Sequence, residues 1–429
     1  MTNSKVVITG MSMLSPFGFG VPAFEVALKN GQSAIRLIDD THPQESQILS
    51  VAAFLSAPDF IKNLDTIPCE PLFKQHYKQL TARAPLTLQT ALWTALDVYQ
   101  QAGLFSIVKT DRVGIVVTGN NTTVKQSHEQ YLIYQDNPNY VSPRYGLNFL
   151  DSSYIGYISE LLNIHGEGQV VGASSASGNM AIIHAMRLLE QKVLDYCLVV
   201  GVMADLSVVE LQAFRQLGAL GGIQFKTEPA KASRPFDTQH EGFIPGQAGA
   251  CLVLERQDTA KARNARIFGY VLGSAIVLDG NHSSDPSLNG EVEVMKKAIH
   301  QAQLQSSDID YVNAHGTSSV LGDEIEAQAF LTLFKNMTQS PWINSTKSHI
   351  GHCLWSAGIV ETIATVLQLN AGFLHANLNL ETPLETDVRW VGTTAIKTDC
   401  NIALSNAFAF GGINTSIILK KGECDERRY

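Results

Sequence analysis

The sequence predicts an α/β protein with largely buried sheets, on three observations. Short runs rich in β-branched residues alternate with longer stretches of helical character, and those runs are apolar enough to lie inside the molecule. The third observation is an internal echo: Gly242-Phe-Ile-Pro-Gly-Gln-Ala-Gly249 feeds a strand-like run, and Phe410-Gly-Gly-Ile-Asn414 does the same near the other end. A glycine-rich turn leading twice into a closing strand points to two duplicated halves, 1–255 and 256–429.

In chain order, the expected strands begin with Val6-Val-Ile-Thr9 and Val113-Gly-Ile-Val-Val-Thr118. Gln169-Val-Val171, Cys197-Leu-Val-Val-Gly-Val202 and Ala250-Cys-Leu-Val-Leu254 follow. The second half contributes 267–276, Tyr311-Val-Asn313, Ile402-Ala-Leu404 and Thr415-Ser-Ile-Ile-Leu419. Buried helices are expected over 180–193, which holds Ala181, Ile182, Ile183, Ala185, Met186, Leu188 and Leu189, and over 357–369. Residues 40–83 read as irregular. Residues 126–150, with Asn137-Pro-Asn and Ser142-Pro143, read as a long excursion of the kind that is functional or mobile. The charged tail 420–429 reads as frayed.

With 429 residues, 45% hydrophobic and 17% charged, the chain is long enough for two sizeable cores. Its 31 basic and 40 acidic residues leave a net charge of −9, which argues against nucleic-acid or anionic-membrane partners. The first ten residues hold one Lys and a four-residue apolar-rich run, too short for a signal sequence, and no apolar stretch approaches the roughly 20 residues of a membrane span. A cytoplasmic protein is expected. The six cysteines are scattered without a C-x-x-C pair or zinc-like spacing, so buried thiols and no metal site are expected.

Four segments carry the chemistry. They are Gln169-Val-Val-Gly-Ala-Ser-Ser-Ala-Ser-Gly-Asn179, Asn313-Ala-His-Gly-Thr-Ser318, Ser345-Thr-Lys-Ser-His-Ile-Gly-His352 and Asn406-Ala-Phe-Ala-Phe-Gly-Gly-Ile-Asn414. The first is a strand, a run of small residues and a helix, which places Ser175 at a helix N-terminus where unpaired N–H groups favour negative charge. Read locally, Ser175 is one small residue of a tight turn, and a lone histidine is more often structural than catalytic. The near match of Gly172-Ala-Ser-Ser-Ala176 to a G-x-S-x-G elbow lacks its last glycine, and neither His315 nor His352 has an acidic partner in the expected order.

Taken together and in this order, the four segments resemble the β-ketoacyl-acyl-carrier-protein synthases of the thiolase superfamily, over nearly the whole chain. The resemblance implies the thiolase-like fold, two duplicated halves in αβαβα layers. It also implies a catalytic group of Ser175, His315, His352 and Lys347, with Ser175 standing where the family has its nucleophilic Cys. Phe410 would gate the acyl site and pair its N–H with that of Ser175 in an oxyanion hole, with Phe408, Gly411 and Gly412 forming the rest of the gating loop. Thr317 and Glu326 would support the site, Glu326 by ordering Lys347 or nearby water, and Ser284 would line the malonyl pocket. The insertions would cap the substrate tunnel and build a dimer surface, and Lys74, Lys78 and Arg83 offer a basic contact for an acidic carrier.

A serine at this position ionises far less readily than a thiol and needs an adjacent base to act as a nucleophile. The histidine pair, by contrast, suits stabilisation of the enolate left when a malonyl thioester loses CO2. The combination therefore points to a malonyl-acyl-carrier-protein decarboxylase that makes acetyl-acyl-carrier-protein, similar to the Cys-to-Ser enzymes of polyketide β-branching cassettes. No bound cofactor is expected; the carrier's phosphopantetheine arm enters as part of the substrate. Expected partners are the acyl carrier protein, a second copy of the chain and other cassette enzymes. The alternatives are a non-catalytic chain-length-factor-like partner of an active ketosynthase, a condensing enzyme that uses serine, and a scaffold. Cys353 carries no signal of a stand-in nucleophile.

Overall fold

The computed structural model describes residues 5–423 except 39–41, 108, 120, 336 and 338. Its main sheet runs through ten strands in an order that reads the same from either edge. From the centre outward the first half contributes Val6–Ser15, Gly249–Arg256, Tyr196–Gly201, Val113–Thr118 and Gly168–Val171. The second contributes Gly269–Leu278, Ile413–Lys421, Ile402–Ala409, Tyr311–Asn313 and Trp342–Asn344. In both series the first two pairings are antiparallel and the last two parallel. The halves join where Val6, Val7 and Ile8 pair antiparallel with Val271, Tyr270 and Gly269. The echo seen in the sequence is thus a repeated topology.

Helices make the remaining layers. Leu86–Gln101 and Ser153–Leu162 cover the first half-sheet, and Leu288–Gln301 covers the second with Val320–Phe334 packed beside it. Between the halves lie Ser177–Glu190 and Ala357–Ala371, each touching strands of both. Every residue from Ala357 to Leu369 is buried, as expected of a helix with apolar residues on all sides, and the burial takes Glu361, Thr362, Thr365 and Gln368 with it. These two inner helices cross at Gly178 and Gly358: a Cβ on Gly178 would sit 2.8 Å from Gly358 Cα, and one on Gly358 would sit 2.7 Å from Asn179 N.

Three expectations need correcting. The 40–83 region holds the helices Phe60–Leu64 and Pro71–Thr81, the second opened by Pro71 at a position where a missing N–H costs nothing. The 126–150 excursion is built on the helix Val124–Asp136, which buries none of its residues and so shows no apolar stripe to read. Lys420 and Lys421 close the last strand instead of fraying. Residues 424–429, with Cys424, lie outside the described residues. The helix Pro71–Thr81 carries Lys74 and Lys78 one turn apart, with Lys74 Nζ on Asp65 O at 3.2 Å. No helix among the described residues is long and apolar enough to cross a membrane.

Candidate active site

Ser175 lies in a single turn, Ser174–Ala176, between the strand Gly168–Val171 and the helix Ser177–Glu190. Ser174 takes a left-handed φ of 45°, and Ser177 Oγ staples the turn, accepting from Ala173 N at 2.8 Å and donating to Ser174 O at 2.7 Å. The second inner helix opens in the same way, with Leu354 at φ 49° starting the turn Leu354–Ser356. The crossing at Gly178 and Gly358 therefore brings two similar elbows together, one carrying Ser175 and the other following directly on His352.

His352 is held by its backbone, its N–H on Ile244 O at 2.7 Å and its carbonyl accepting from Gly246 N at 3.0 Å. Gly351 before it has φ 69°, and a Cβ there would lie 2.8 Å from Ile244 O. The ring is fixed as well: Nδ1 accepts the Leu354 N–H at 3.2 Å, so in the neutral ring Nε2 carries the proton and donates to Ser175 Oγ at 2.9 Å. Ser175 consequently receives a hydrogen bond from the nitrogen that would have to take its proton in a serine mechanism.

His315 lies just beyond the strand Tyr311–Asn313, its ring edge-on to His352 at 5.6 Å between centroids. Lys347 Nζ lies 3.4 Å from His315 Nδ1 and 2.6 Å from His315 O, and it is ion-paired with Glu361 in a fully buried contact. An ammonium group only donates, so His315 too presents Nε2–H to the cavity. Burial, and then the charge of Lys347, hold both histidines well below the usual imidazole range, which keeps them neutral donors.

Glu361 is the residue that the sequence reading missed, and it takes the role assigned there to Glu326. Burial pushes the Glu361 carboxyl up to about 7 against the attraction of Lys347. Glu326 does not reach Lys347; its carboxylate accepts the backbone N–H groups of His315 at 2.8 Å and Gly316 at 2.7 Å. It thereby sets the turn that aims His315. Thr317 belongs to the same turn, its N–H on Asp323 Oδ1 at 3.0 Å and its hydroxyl on Ser319 Oγ at 2.8 Å.

Ser175, His315 and His352 share a cavity of about 450 Å³ with Phe408, Phe410 and Ser284. Phe408 is buried with its ring 5.8 Å from that of His315, whereas Phe410 is 40% exposed. Gly411 and Gly412 have φ values of 86° and 67°, and two backbone bonds, Gly411 N to Ser283 O at 3.0 Å and Asp279 N to Gly412 O at 2.9 Å, tie their loop to the one that carries Ser284. Burial pushes the Cys353 thiol up to about 12, which disfavours its thiolate form.

The halves match two family models, "Beta-ketoacyl synthase, N-terminal domain" over residues 3–260 and "Beta-ketoacyl synthase, C-terminal domain" over 268–381. The chain belongs to the β-ketoacyl synthase family, and its fold is that of the thiolase-like ketosynthases. It is 36% identical over 421 residues, 98% of this chain and 97% of the relative, to the polyketide biosynthesis malonyl-ACP decarboxylase PksF of Bacillus subtilis (strain 168). It is 31% identical over 426 residues, 97% of this chain and 99% of the relative, to 3-oxoacyl-acyl-carrier-protein synthase 2 of Rhizobium meliloti (strain 1021). Among solved structures, a β-ketoacyl synthase from Burkholderia phymatum STM815 superposes with a TM-score of 0.83 at 27% identity, covering 97% of this chain and 99% of that one.

Proposed function

We propose that this protein decarboxylates malonyl-acyl-carrier-protein to acetyl-acyl-carrier-protein without forming an acyl-enzyme. The observation that carries this reading is the pair of neutral Nε2–H donors, His315 and His352, beside a serine that has no free base. The carrier's phosphopantetheine arm lays the malonyl thioester in the cavity with its oxygen between the two imidazoles, and the His352 Nε2–H turns from Ser175 Oγ to that oxygen. As CO2 leaves, the charge moves onto that oxygen, where donors already in place stabilise the transition state more than the ground state. Protonation then gives an acetyl thioester on the same carrier. Ser175, in place of the family's cysteine, shapes the pocket and fixes the His352 ring. The reading calls for neither metal nor resident cofactor.

The likeness to PksF supports the activity and a polyketide setting; a place in β-branching is part of the same proposal. A homodimer is proposed as well, supported by the exposed Tyr131, Tyr134, Tyr140, Leu147 and Phe149 of the 124–150 excursion, too many apolar side chains in one segment to leave in water. A chain-length-factor-like role is disfavoured because His315, His352 and Lys347 are all present and held in donor geometry.

Intact-protein mass spectrometry of a malonylated carrier tests the reading. Ser175→Ala is expected to keep substantial acetyl-carrier formation, whereas His315→Ala and His352→Ala each lose about 10²–10³ in rate. Retention by the histidine variants with loss in Ser175→Ala would point to serine chemistry. A carrier left unchanged in mass, with stimulation of a separate ketosynthase, would point to the chain-length-factor role.

A further inference from the structure

Five acidic residues line the cavity: Asp279, Asp285, Glu291, Asp323 and Glu326. Asp285 is exposed at the mouth. Glu326 is occupied by two backbone N–H groups, and Asp323 by those of Phe236, Thr317 and Ser318. Asp279 accepts from Asn414 Nδ2 at 2.7 Å. Asp279 Oδ2 has no hydrogen-bond partner among the described residues, but Asp279 is only half-buried, whereas Glu291 is both fully buried and incompletely partnered. Glu291 sits in the first turn of the helix Leu288–Gln301, is 1% exposed, and its Oε2 has no hydrogen-bond partner among the described residues.

Glu291 lines the same cavity as His315 and His352. One turn further along the same face, Met295 Sδ accepts from Asn406 Nδ2 at 3.3 Å, and Asn406 Nδ2 also lies 3.3 Å from Glu326 Oε1, the oxygen that aims His315. The groups whose charge acts on Glu291 are Glu326 and Asp323 of the helix Val320–Phe334 and Asp279 just after the strand Gly269–Leu278. Burial first, and then these like charges, keep Glu291 protonated well above the usual carboxylate range. Burial and its acidic neighbours thus favour the protonated carboxyl in the cavity wall, and its Oε2 is left without a partner among the described residues.

The decarboxylation needs such a group. Loss of CO2 leaves an enolate that must gain one proton at carbon, while both imidazoles are committed to its oxygen and Lys347 is turned away onto Glu361. We infer that Glu291 is the proton donor that converts the enolate to the acetyl thioester, an assignment that rests on the decarboxylase reading. The Oε–H bond breaks as the methyl C–H bond forms, and the electron pair of the O–H bond stays on the Glu291 carboxylate. The enolate pair becomes the new C–H bond and the thioester carbonyl is restored. The carboxylate regains a proton from water once product has left, so one proton is taken up for each CO2 released.

The test uses the full chain and a malonylated carrier in equal parts of H2O and D2O, reading the initial rate and the deuterium content of the acetyl group by mass spectrometry across pH 6–9.5, with the thermal midpoint of each variant measured alongside. In the native protein the rate is expected to hold at low pH and fall as rising pH strips the proton from Glu291. Glu291→Gln, nearly isosteric, is expected to slow acetyl formation by about 10²-fold, abolish that limb and shift the deuterium fraction toward that of direct protonation by water. Glu291→Asp should restore part of the rate together with the limb. A Glu291→Gln protein with native rate, limb and deuterium fraction overturns the inference alone, as does one that is slower with limb and fraction unmoved, which marks a structural role. If the native protein leaves the carrier's mass unchanged, the decarboxylase reading falls and the inference with it.

Discussion

Lys347 shows how one buried cation organises the site. With Glu361 and Lys347 each only 2% exposed, neither charge is solvated, and removing one partner strands the other. Glu361→Gln is therefore expected to lower stability by about 3–5 kcal/mol in urea titration. The pairing of Glu361→Gln with Lys347→Met should recover much of that stability while leaving His315 without the contact that fixes its tautomer. Acetyl-carrier formation should stay low in the double variant although its unfolding midpoint rises, which separates positioning from folding. His315, His352 and Lys347 were legible from their strings. Glu361 was not, yet a signal existed in a lone carboxylate within the otherwise uncharged and largely apolar Ala357–Ala371, for such a residue needs a buried partner. Glu291 left a weaker trace, because its helix alternates apolar and acidic positions and only the packing decides which acid faces inward.

At the scale of elements, the site depends on two helices meeting end to end. Gly178 and Gly358 let their backbones touch, so Gly358→Ala is expected to cost about 1–3 kcal/mol or more and to part the two elbows. The gain in Ser175-to-His352 distance should appear as a larger loss of acetyl-carrier formation than the loss of stability alone explains. The gating loop makes a different demand. Gly411→Ala meets no atom within 4 Å but must hold φ 86°, so its effect is expected on turnover with little change in packing. Nine of the ten strands along the main sheet were located by their continuous apolar runs, but Val6–Ser15 and Ile402–Ala409 extend well past the runs read, and the three-residue edge strand Trp342–Asn344 was not read at all. The helix Val124–Asp136 was not readable, because a helix without a buried face has no period to detect.

Across the molecule, several apolar clusters draw on both halves. In one of them Ile182, Met186 and Val199 of the first half pack with Ile359, Ile363 and Val366 of the second. Unfolding is therefore expected to be a single transition, with near- and far-ultraviolet circular dichroism coinciding. Ile363→Ala should lower the midpoint of both signals together, by about 2–5 kcal/mol; separate transitions would show that the halves are independent.

The chain alone determined the α/β class and pointed to the serine, histidine and lysine strings that the fold brings to one cavity, because apolar periodicity and short ordered strings are local properties. Only the folded arrangement decided that Glu361 holds Lys347, that Glu326 aims His315 through its backbone, and that His352 offers a proton to Ser175 instead of accepting one. Each of these rests on contacts between residues 10 to 177 positions apart. No sequence pattern encodes which nitrogen of an imidazole is left to carry the hydrogen; that follows from a backbone N–H fixed by the turn beside it and from the low-dielectric setting that keeps the ring neutral.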